Sequence, residues 1–124
     1  MPATKPLRIA IFEDSAYFLK QVAEFISNLP EMEIVATTPV AIGAAKLIRQ
    51  HEPDFVLIDF FLARGTALDV LRDLRELGLK TKAIVMTSEP GSALEETCRA
   101  LGATAFLDKA TLSESIAPLL SKDR

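Results

Sequence analysis

Several side chains suited to phosphoryl or metal chemistry directly follow short apolar runs in this 124-residue sequence. A carboxylate can attack phosphorus and form an acyl phosphate, while hydroxyl and ammonium groups can hold phosphoryl oxygens. Clustered carboxylates also provide the oxygen ligands that Mg²⁺ prefers. Taken alone, a strand-end aspartate such as Asp59 more often caps a turn, so its chemistry depends on its neighbours. The candidate residues are Glu13, Asp14, Asp59, Thr87, Ser88 and Lys109.

The candidate residues are separated by segments that alternate between strand-like and helix-like patterns. Residues 55–59 are apolar until the final Asp59, which is typical of a strand buried on both faces. Thr38 and Pro39 are predicted to open the second helix, as its cap and its first residue. Strict alternation with short connections predicts a doubly wound α/β domain of three layers, with a parallel sheet of flavodoxin-like strand order 2-1-3-4-5. The predicted strands are residues 7–12, 33–38, 55–59, 83–86 and 103–107.

The predicted topology brings the candidate residues together, because the carboxyl ends of parallel strands share one edge of the sheet. Glu13, Asp14 and Asp59 would then lie within a few ångströms of one another. Such carboxylates repel, at a cost on the order of 3 kcal/mol per pair, unless a hard divalent cation relieves them. Mg²⁺ or Mn²⁺ suits such a site. Lys109 and Thr87 could then neutralise and hydrogen-bond a phosphoryl group on Asp59.

These motifs resemble those of response-regulator receiver domains, the phosphoacceptor domains of two-component signalling, which include chemotaxis response regulators. The resemblance extends from about residue 7 to the C-terminus. Each motif is weak alone, whereas four on strand ends, in order and at family-like spacing, are specific. They are the acidic pair Glu13-Asp14, Asp59 after Val56-Leu57-Ile58, Thr87 after Ile84-Val85-Met86, and Lys109 after residues 102–108.

The resemblance implies a role for each matching position. Asp59 would accept a phosphoryl group from a sensor histidine kinase or a phosphotransfer protein. Asp14 and Asp59 would bind Mg²⁺ directly, with the backbone carbonyl of Phe61 as the third protein ligand. Glu13 would act on the metal through a water molecule. The residues expected to contact the phosphoryl group are Thr87 and Lys109.

The resemblance also implies how the signal is transmitted and how it decays. Phe106 occupies the position of the aromatic switch residue, whose ring is expected to turn inward when phosphorylation draws Thr87 toward the phosphoryl group. The face formed by the fourth helix, fifth strand and fifth helix would bind a downstream protein or a second receiver. Two further positions flank the approach of the hydrolytic water in receivers and are expected to tune dephosphorylation. These are Phe61 and Glu89.

The sequence departs from the usual receiver pattern near the phosphoacceptor and near the lysine. Receivers often have proline four residues after the aspartate and glycine eight residues after it, where this chain has Ala63 and Ala67, with Gly65 between them. We therefore expect the loop after Asp59 to differ locally. The proline that usually follows the lysine is Ala110 here, so a cis bond at that position is in doubt. None of these changes removes a side chain from the chemistry.

Three other functional classes share parts of this pattern. A flavin- or nucleotide-binding enzyme of the same fold needs a phosphate cradle after the first strand, and Glu13-Asp14 would repel phosphate there. An aspartate-dependent phosphatase would carry its nucleophile after the first strand with a second Asp two residues later, but Asp14 is followed by Ser15 and Ala16. The alternative kept open is a receiver-like interaction module that works without phosphorylation, although the complete set of site residues argues against it.

Composition sets broader expectations. A formal net charge of −3, with 14 basic residues scattered among 17 acidic ones, predicts no direct nucleic-acid binding. The single cysteine, Cys98, is predicted to be a small residue of the hydrophobic core. The absence of a membrane-length apolar run or targeting segment predicts a cytoplasmic protein. We expect one receiver domain over residues 1–124 with a tail at 1–6, acting as a signalling phosphoacceptor and not as an enzyme, either alone or as part of a longer regulator.

Overall fold

The computed structural model describes residues 5–89 and 91–121; residues 1–4 of the predicted tail lie outside that range. Five parallel strands form the main sheet in the order β2-β1-β3-β4-β5, which confirms the predicted order 2-1-3-4-5. The strands of this sheet, numbered along the chain, are β1 (Leu7–Phe12), β2 (Met32–Thr38), β3 (Phe55–Asp59), β4 (Lys82–Thr87) and β5 (Ala105–Asp108).

Five α-helices connect and cover these strands. They are α1 (Ala16–Ser27), α2 (Ala44–His51), α3 (Ala67–Glu76), α4 (Ser92–Ala100) and α5 (Leu112–Ser121). A short 3₁₀ helix at Lys109–Thr111 precedes α5. Within the described ranges, no helix has the length and apolar character needed to cross a bilayer.

The core consists of two apolar layers, one on each face of the sheet, because successive side chains of a strand point to opposite faces. On one face, Phe12 and Ile58 pack with side chains of α2, α3 and α4. On the other, Ile11 and Leu57 pack with side chains of α1 and α5. All residues of β3 are buried, as its unbroken apolar run predicts. The three-layer arrangement holds the carboxyl end of β3 at the centre of one sheet edge.

The loop after β3 forms a small antiparallel hairpin in which Phe61–Leu62 pairs with Gly65–Thr66. The backbone N–H of Ala67 donates to the carbonyl of Phe60 (2.8 Å) and closes this loop. Gly65 has φ +129°, and a Cβ on it would lie 2.7 Å from Asp69 Oδ2 and 2.8 Å from the Cβ of Ala41. Only glycine therefore fits at this close approach.

The prediction that α2 starts at Thr38-Pro39 was wrong, because α2 begins at Ala44 with Gly43 as its N-cap at φ +82°. Residues 39–41 instead bond to the hairpin. Ala41 N–H donates to the carbonyl of Ala63 (3.0 Å), and Ala63 N–H donates to the carbonyl of Pro39 (3.1 Å). These bonds occupy the backbone that would otherwise form the first turn of the helix.

Candidate functional site

The acidic residues predicted to meet do so at the carboxyl ends of β1 and β3. Glu13, Asp14 and Asp59 each offer a carboxylate oxygen, and these oxygens lie within 4.8 Å of one another. Glu13 and Asp59 are buried, with 1% and 7% of their surface exposed, whereas Asp14 is exposed. The cluster is thus closed on the core side and open to solvent at Asp14.

Lys109 joins this cluster from the end of β5, although β4 lies between β5 and β3. Its Nζ lies 2.8 Å from Glu13 Oε1 and 3.2 Å from Asp59 Oδ1. Only 15% of the lysine side chain is exposed, so its charge is largely shielded from water. One ammonium group therefore faces two buried carboxylates, while the site as a whole stays negative.

Backbone contacts fix Glu13 in place. Its own N–H donates to the carbonyl of Thr38 (3.0 Å), which continues the pairing of β1 with β2. The N–H of Ser15 donates to Glu13 Oε2 (3.0 Å). The other oxygen, Oε1, is buried and forms an ion pair with the Lys109 ammonium at 2.8 Å, and within the part of the chain that the structure describes no group donates an aligned hydrogen bond to it. A buried carboxylate oxygen that is held by an ion pair alone can still accept a hydrogen bond from water or bind a cation.

Asp59 holds its proton more tightly than an ordinary aspartate. Burial is the largest cause that raises the pKa of Asp59 from 3.8 to about 6. The hydrogen bond that protonated Asp59 donates to Glu13, and the negative charge of Glu13, also raise this pKa, whereas the charge and the hydrogen bond of Lys109 lower it. Near neutral pH Asp59 is therefore ionised, as a nucleophile must be, but at a free-energy cost to the folded protein.

The donor set fits Mg²⁺ or Mn²⁺. It consists of hard carboxylate oxygens, one of them buried without an aligned hydrogen bond from the described residues, and the exposed Asp14 gives an ion access from solvent. The structure therefore agrees with the grouping of Glu13, Asp14 and Asp59 that the sequence predicts. The division into direct and water-mediated ligands, and the role of the Phe61 carbonyl, stay predictions.

Thr87 ends β4, the strand beside β3, and is buried, with 1% of its surface exposed. Its Oγ1 accepts a hydrogen bond from the backbone N–H of Glu89 (3.1 Å). A hydroxyl can accept and donate at once, so this bond leaves the hydroxyl hydrogen for another acceptor.

Phe106 on β5 is also buried, at 9% exposure, and belongs to the apolar layer that includes Val85 and Cys98. The aromatic ring therefore already lies inward in this structure.

The two residues predicted to tune dephosphorylation are both exposed: Phe61 lies in the hairpin after β3, and Glu89 lies in the loop after β4. The Phe61 side chain is 55% exposed, and its ring packs edge-to-face on that of Phe60, with centroids 4.8 Å apart. The backbone of Glu89 contacts Thr87, as described above. Their effect on the lifetime of an acyl phosphate stays a prediction.

Sequence reasoning missed the ring above Lys109. The Nζ of Lys109 lies 4.3 Å from the ring centroid of Phe18 on α1. From the sequence, Phe18 is only one member of the apolar stripe of the first helix. The available signal was its position one helical turn after Asp14, which places it at the site end of α1.

The connection after Lys109 also differs from the usual receiver pattern. Asp108 Oδ1 accepts a hydrogen bond from the N–H of Ala110 (2.9 Å), a donor that proline lacks, and so caps the 3₁₀ helix. The peptide bonds of the described residues are all trans, and this includes the bond between Lys109 and Ala110.

Comparison with known proteins gives consistent matches. The family model described as response regulator receiver domain matches residues 9–120. A protein-glutamate methylesterase/protein-glutamine glutaminase of Bordetella avium is 35% identical over 111 residues, which is 87% of this chain but 31% of that protein. The chain thus spans about a third of the length of the curated relatives it matches.

Two solved structures share the fold. The signal receiver domain of the response regulator NarL from Mycobacterium tuberculosis superimposes with a TM-score of 0.90 at 21% identity, covering 97% of each chain. A DNA-binding response regulator of the LuxR family from Staphylococcus aureus superimposes with a TM-score of 0.86 at 25% identity, covering 94% of this chain and 97% of that one.

Proposed function

Since the chain belongs to the response regulator receiver domain family, which matches residues 9–120, we propose that Asp59 is its phosphoacceptor. The phosphoryl group would come from a sensor histidine kinase or a phosphotransfer protein, the two kinds of protein with which receiver domains interact. The observation that carries the proposal is the position of Asp59. It is a buried carboxylate at the centre of the sheet edge, 3.2 Å from a lysine ammonium and beside two further acids.

The reaction is a transfer between nucleophiles. A carboxylate oxygen of Asp59 attacks the phosphorus of a phosphohistidine, forming a P–O bond while the P–N bond breaks, and the imidazole leaves and takes up a proton. Lys109 Nζ, already 3.2 Å from Asp59 Oδ1, pairs with the negative charge of the phosphoryl oxygens. The hydroxyl of Thr87 donates a hydrogen bond to one of them. The ammonium of Lys109 already lies beside Asp59, which supports a transfer that needs little movement of the lysine.

A divalent cation completes the site. Asp14, Asp59 and the carbonyl of Phe61 would hold Mg²⁺ or Mn²⁺ directly, with Glu13 acting through a water molecule, in agreement with the grouped carboxylates. When bound, the ion neutralises negative charge on the acidic cluster and on the phosphoryl oxygens. The chain itself thus serves as a signalling phosphoacceptor that assists its own phosphorylation and dephosphorylation, not as an independent enzyme.

The output surface is the face formed by α4, β5 and α5, where a downstream protein or a second receiver would bind. The ring of Phe106, which is expected to turn inward when Thr87 binds the phosphoryl group, is buried in the unphosphorylated protein. Because the ring already lies inward, phosphorylation would stabilise the inward position, not create it. We place this action in the cytoplasm, with no direct contact to nucleic acid or membrane.

The test is the intact mass of the protein after incubation with acetyl phosphate. Wild type should gain one phosphoryl group in the presence of Mg²⁺ and none with a chelator, whereas Asp59→Asn should gain none under either condition. Asp73→Asn, a change at an exposed aspartate of α3, serves as the matched control and should be labelled like wild type. Labelling of Asp59→Asn at the wild-type level would show that Asp59 is not the acceptor.

A further inference from the structure

We propose that Phe18 is a positioning residue for Lys109: its ring holds the lysine ammonium in place for the phosphoryl group, so the inference rests on the proposed function. The ammonium lies 4.3 Å from the ring centroid. A cation over an aromatic face within about 6 Å is attracted by the ring, and more strongly where water is excluded. Here 15% of the lysine side chain is exposed, so the contact is well shielded.

The ring of Phe18 adds a contact to the two charged contacts that hold the Lys109 ammonium. Glu13 Oε1 and Asp59 Oδ1, at 2.8 Å and 3.2 Å, fix the ammonium by charge. Lysine is a compact charge on a flexible stem, unlike the rigid fork of arginine, so two contacts leave it room to move. The face of Phe18 adds a third contact, which is uncharged and keeps water from the ammonium.

The same helix turn positions both the ring and one of the carboxylates. Ser15 caps α1, since its Oγ accepts a hydrogen bond from the N–H of Phe18 (3.2 Å). The N–H of Ser15 donates to Glu13 Oε2 (3.0 Å). The opposite end of the contact is fixed as well, because Asp108 caps the 3₁₀ helix in which the backbone of Lys109 lies. Ring and lysine thus approach each other from two anchored segments.

The contribution of the ring becomes most important when the charges at the site change. On phosphorylation, the Oδ1 partner of Lys109 would become part of an acyl phosphate, and a bound divalent cation would offset the negative charge of Glu13. Both charged contacts of the lysine are then altered, whereas the contact with Phe18 is not. The ring would therefore keep the ammonium within reach of the phosphoryl oxygens during transfer and in the product.

A double-mutant cycle tests this assignment. The measured quantity is the initial rate of labelling by acetyl phosphate with Mg²⁺, followed by intact mass. Phe18→Leu should lower this rate about three- to tenfold, whereas Phe18→Tyr, which keeps the aromatic face, should stay close to wild type. In a Lys109→Met background, Phe18→Leu should change the residual rate by less than about twofold, because the ring acts through the ammonium. An equal effect in both backgrounds would assign Phe18 to packing alone.

A spectroscopic measurement on the unphosphorylated protein tests the contact itself. The ring should shift the NMR signals of the Lys109 ε-methylene protons upfield in wild type, with assignment by comparison with Lys109→Met. The shift should disappear in Phe18→Leu and persist in Phe18→Tyr. Ordinary lysine shifts in wild type would overturn the proposal without any variant having to fold. If wild type shows the shift but takes up no phosphate, the proposed function fails and the contact stands. If wild type is labelled and the cycle is additive, the phosphoacceptor stands and the positioning role fails.

Discussion

Replacing Asp59 by asparagine should stabilise the folded protein near neutral pH when no divalent cation is bound. In wild type, ionised Asp59 is buried beside Glu13, and these two causes raise its pKa to about 6 although Lys109 opposes them. The net environment of the carboxylate is thus unfavourable even with its lysine partner present. Asparagine cannot ionise, yet its amide can donate to Glu13 as a protonated Asp59 would. The variant therefore imitates the protonated wild type at every pH.

The raised pKa gives both the size and the sign of this effect. The difference between 3.8 and about 6 corresponds to about 3 kcal/mol, at about 1.4 kcal/mol for each pH unit. Between these two values the folded state binds more protons than the unfolded state, so the stability of wild type falls as pH rises through this window. The advantage of Asp59→Asn should be near zero below about pH 4, grow as pH rises, and level off above about pH 7.

The assay is urea denaturation of wild type and Asp59→Asn with a chelator present, at several values between about pH 4 and about pH 8. Using the difference between the two proteins cancels the titration of all other groups. Asp73→Asn on α3 is the control and should show no such pH-dependent difference. A difference that stays constant with pH, or a variant less stable than wild type at neutral pH, would refute the reasoning.

Two further predictions concern the phosphorylated protein. Phe61→Asn should speed the decay of the acyl phosphate about two- to tenfold, because an amide can hydrogen-bond the attacking water and the exposed ring cannot. The decay is measured as loss of the added mass, and a rate equal to that of wild type would show that Phe61 does not affect the reaction. Thr87→Ala should reduce the amide NMR changes that beryllofluoride, a phosphoryl mimic, causes in α4 and α5, because a charge-assisted hydrogen bond is lost. Equal NMR changes in wild type and Thr87→Ala would show that Thr87 does not couple the phosphoryl site to the output face.

The hydrogen bond of Thr87 and the burial of the Phe106 ring are together expected to contribute on the order of 2–4 kcal/mol to switching. Complete switching from 1:99 to 99:1 needs about 5.5 kcal/mol. Because the ring is already buried at 9% exposure, less of that contribution remains for phosphorylation to add. We therefore expect phosphorylation to shift the output face only partly and the binding of a partner to complete the change.

The sequence predicted those features that follow from periodicity and topology. The apolar run ending at Asp59 indicated a central buried strand, and the alternation of segments indicated the strand order. Since parallel strands share one edge, the meeting of Glu13, Asp14, Asp59 and Lys109 followed without any knowledge of side-chain positions.

Features that depend on contacts between distant segments were not predictable in this way. Thr38-Pro39 is a favourable helix start in its local sequence. The backbone of residues 39–41 instead forms hydrogen bonds with Ala63, more than twenty residues later in the chain, and α2 begins at Ala44. The contact of Phe18 with Lys109 depends on how α1 and the end of β5 approach each other, which no single pattern encodes. The buried ring of Phe106 likewise reflects packing against β4 and α4.

The bonds between residues 39–41 and the hairpin have a consequence for protein engineering. Segments of homologous domains are often exchanged one loop at a time, on the assumption that each loop is an independent module. Here the loop after Asp59 shares reciprocal backbone bonds with residues 39–41, and Gly65 leaves room for the methyl group of Ala41. A graft of residues 60–66 alone would break that fit on one side. The transferable unit is therefore the pair of loops, although they are far apart in the sequence.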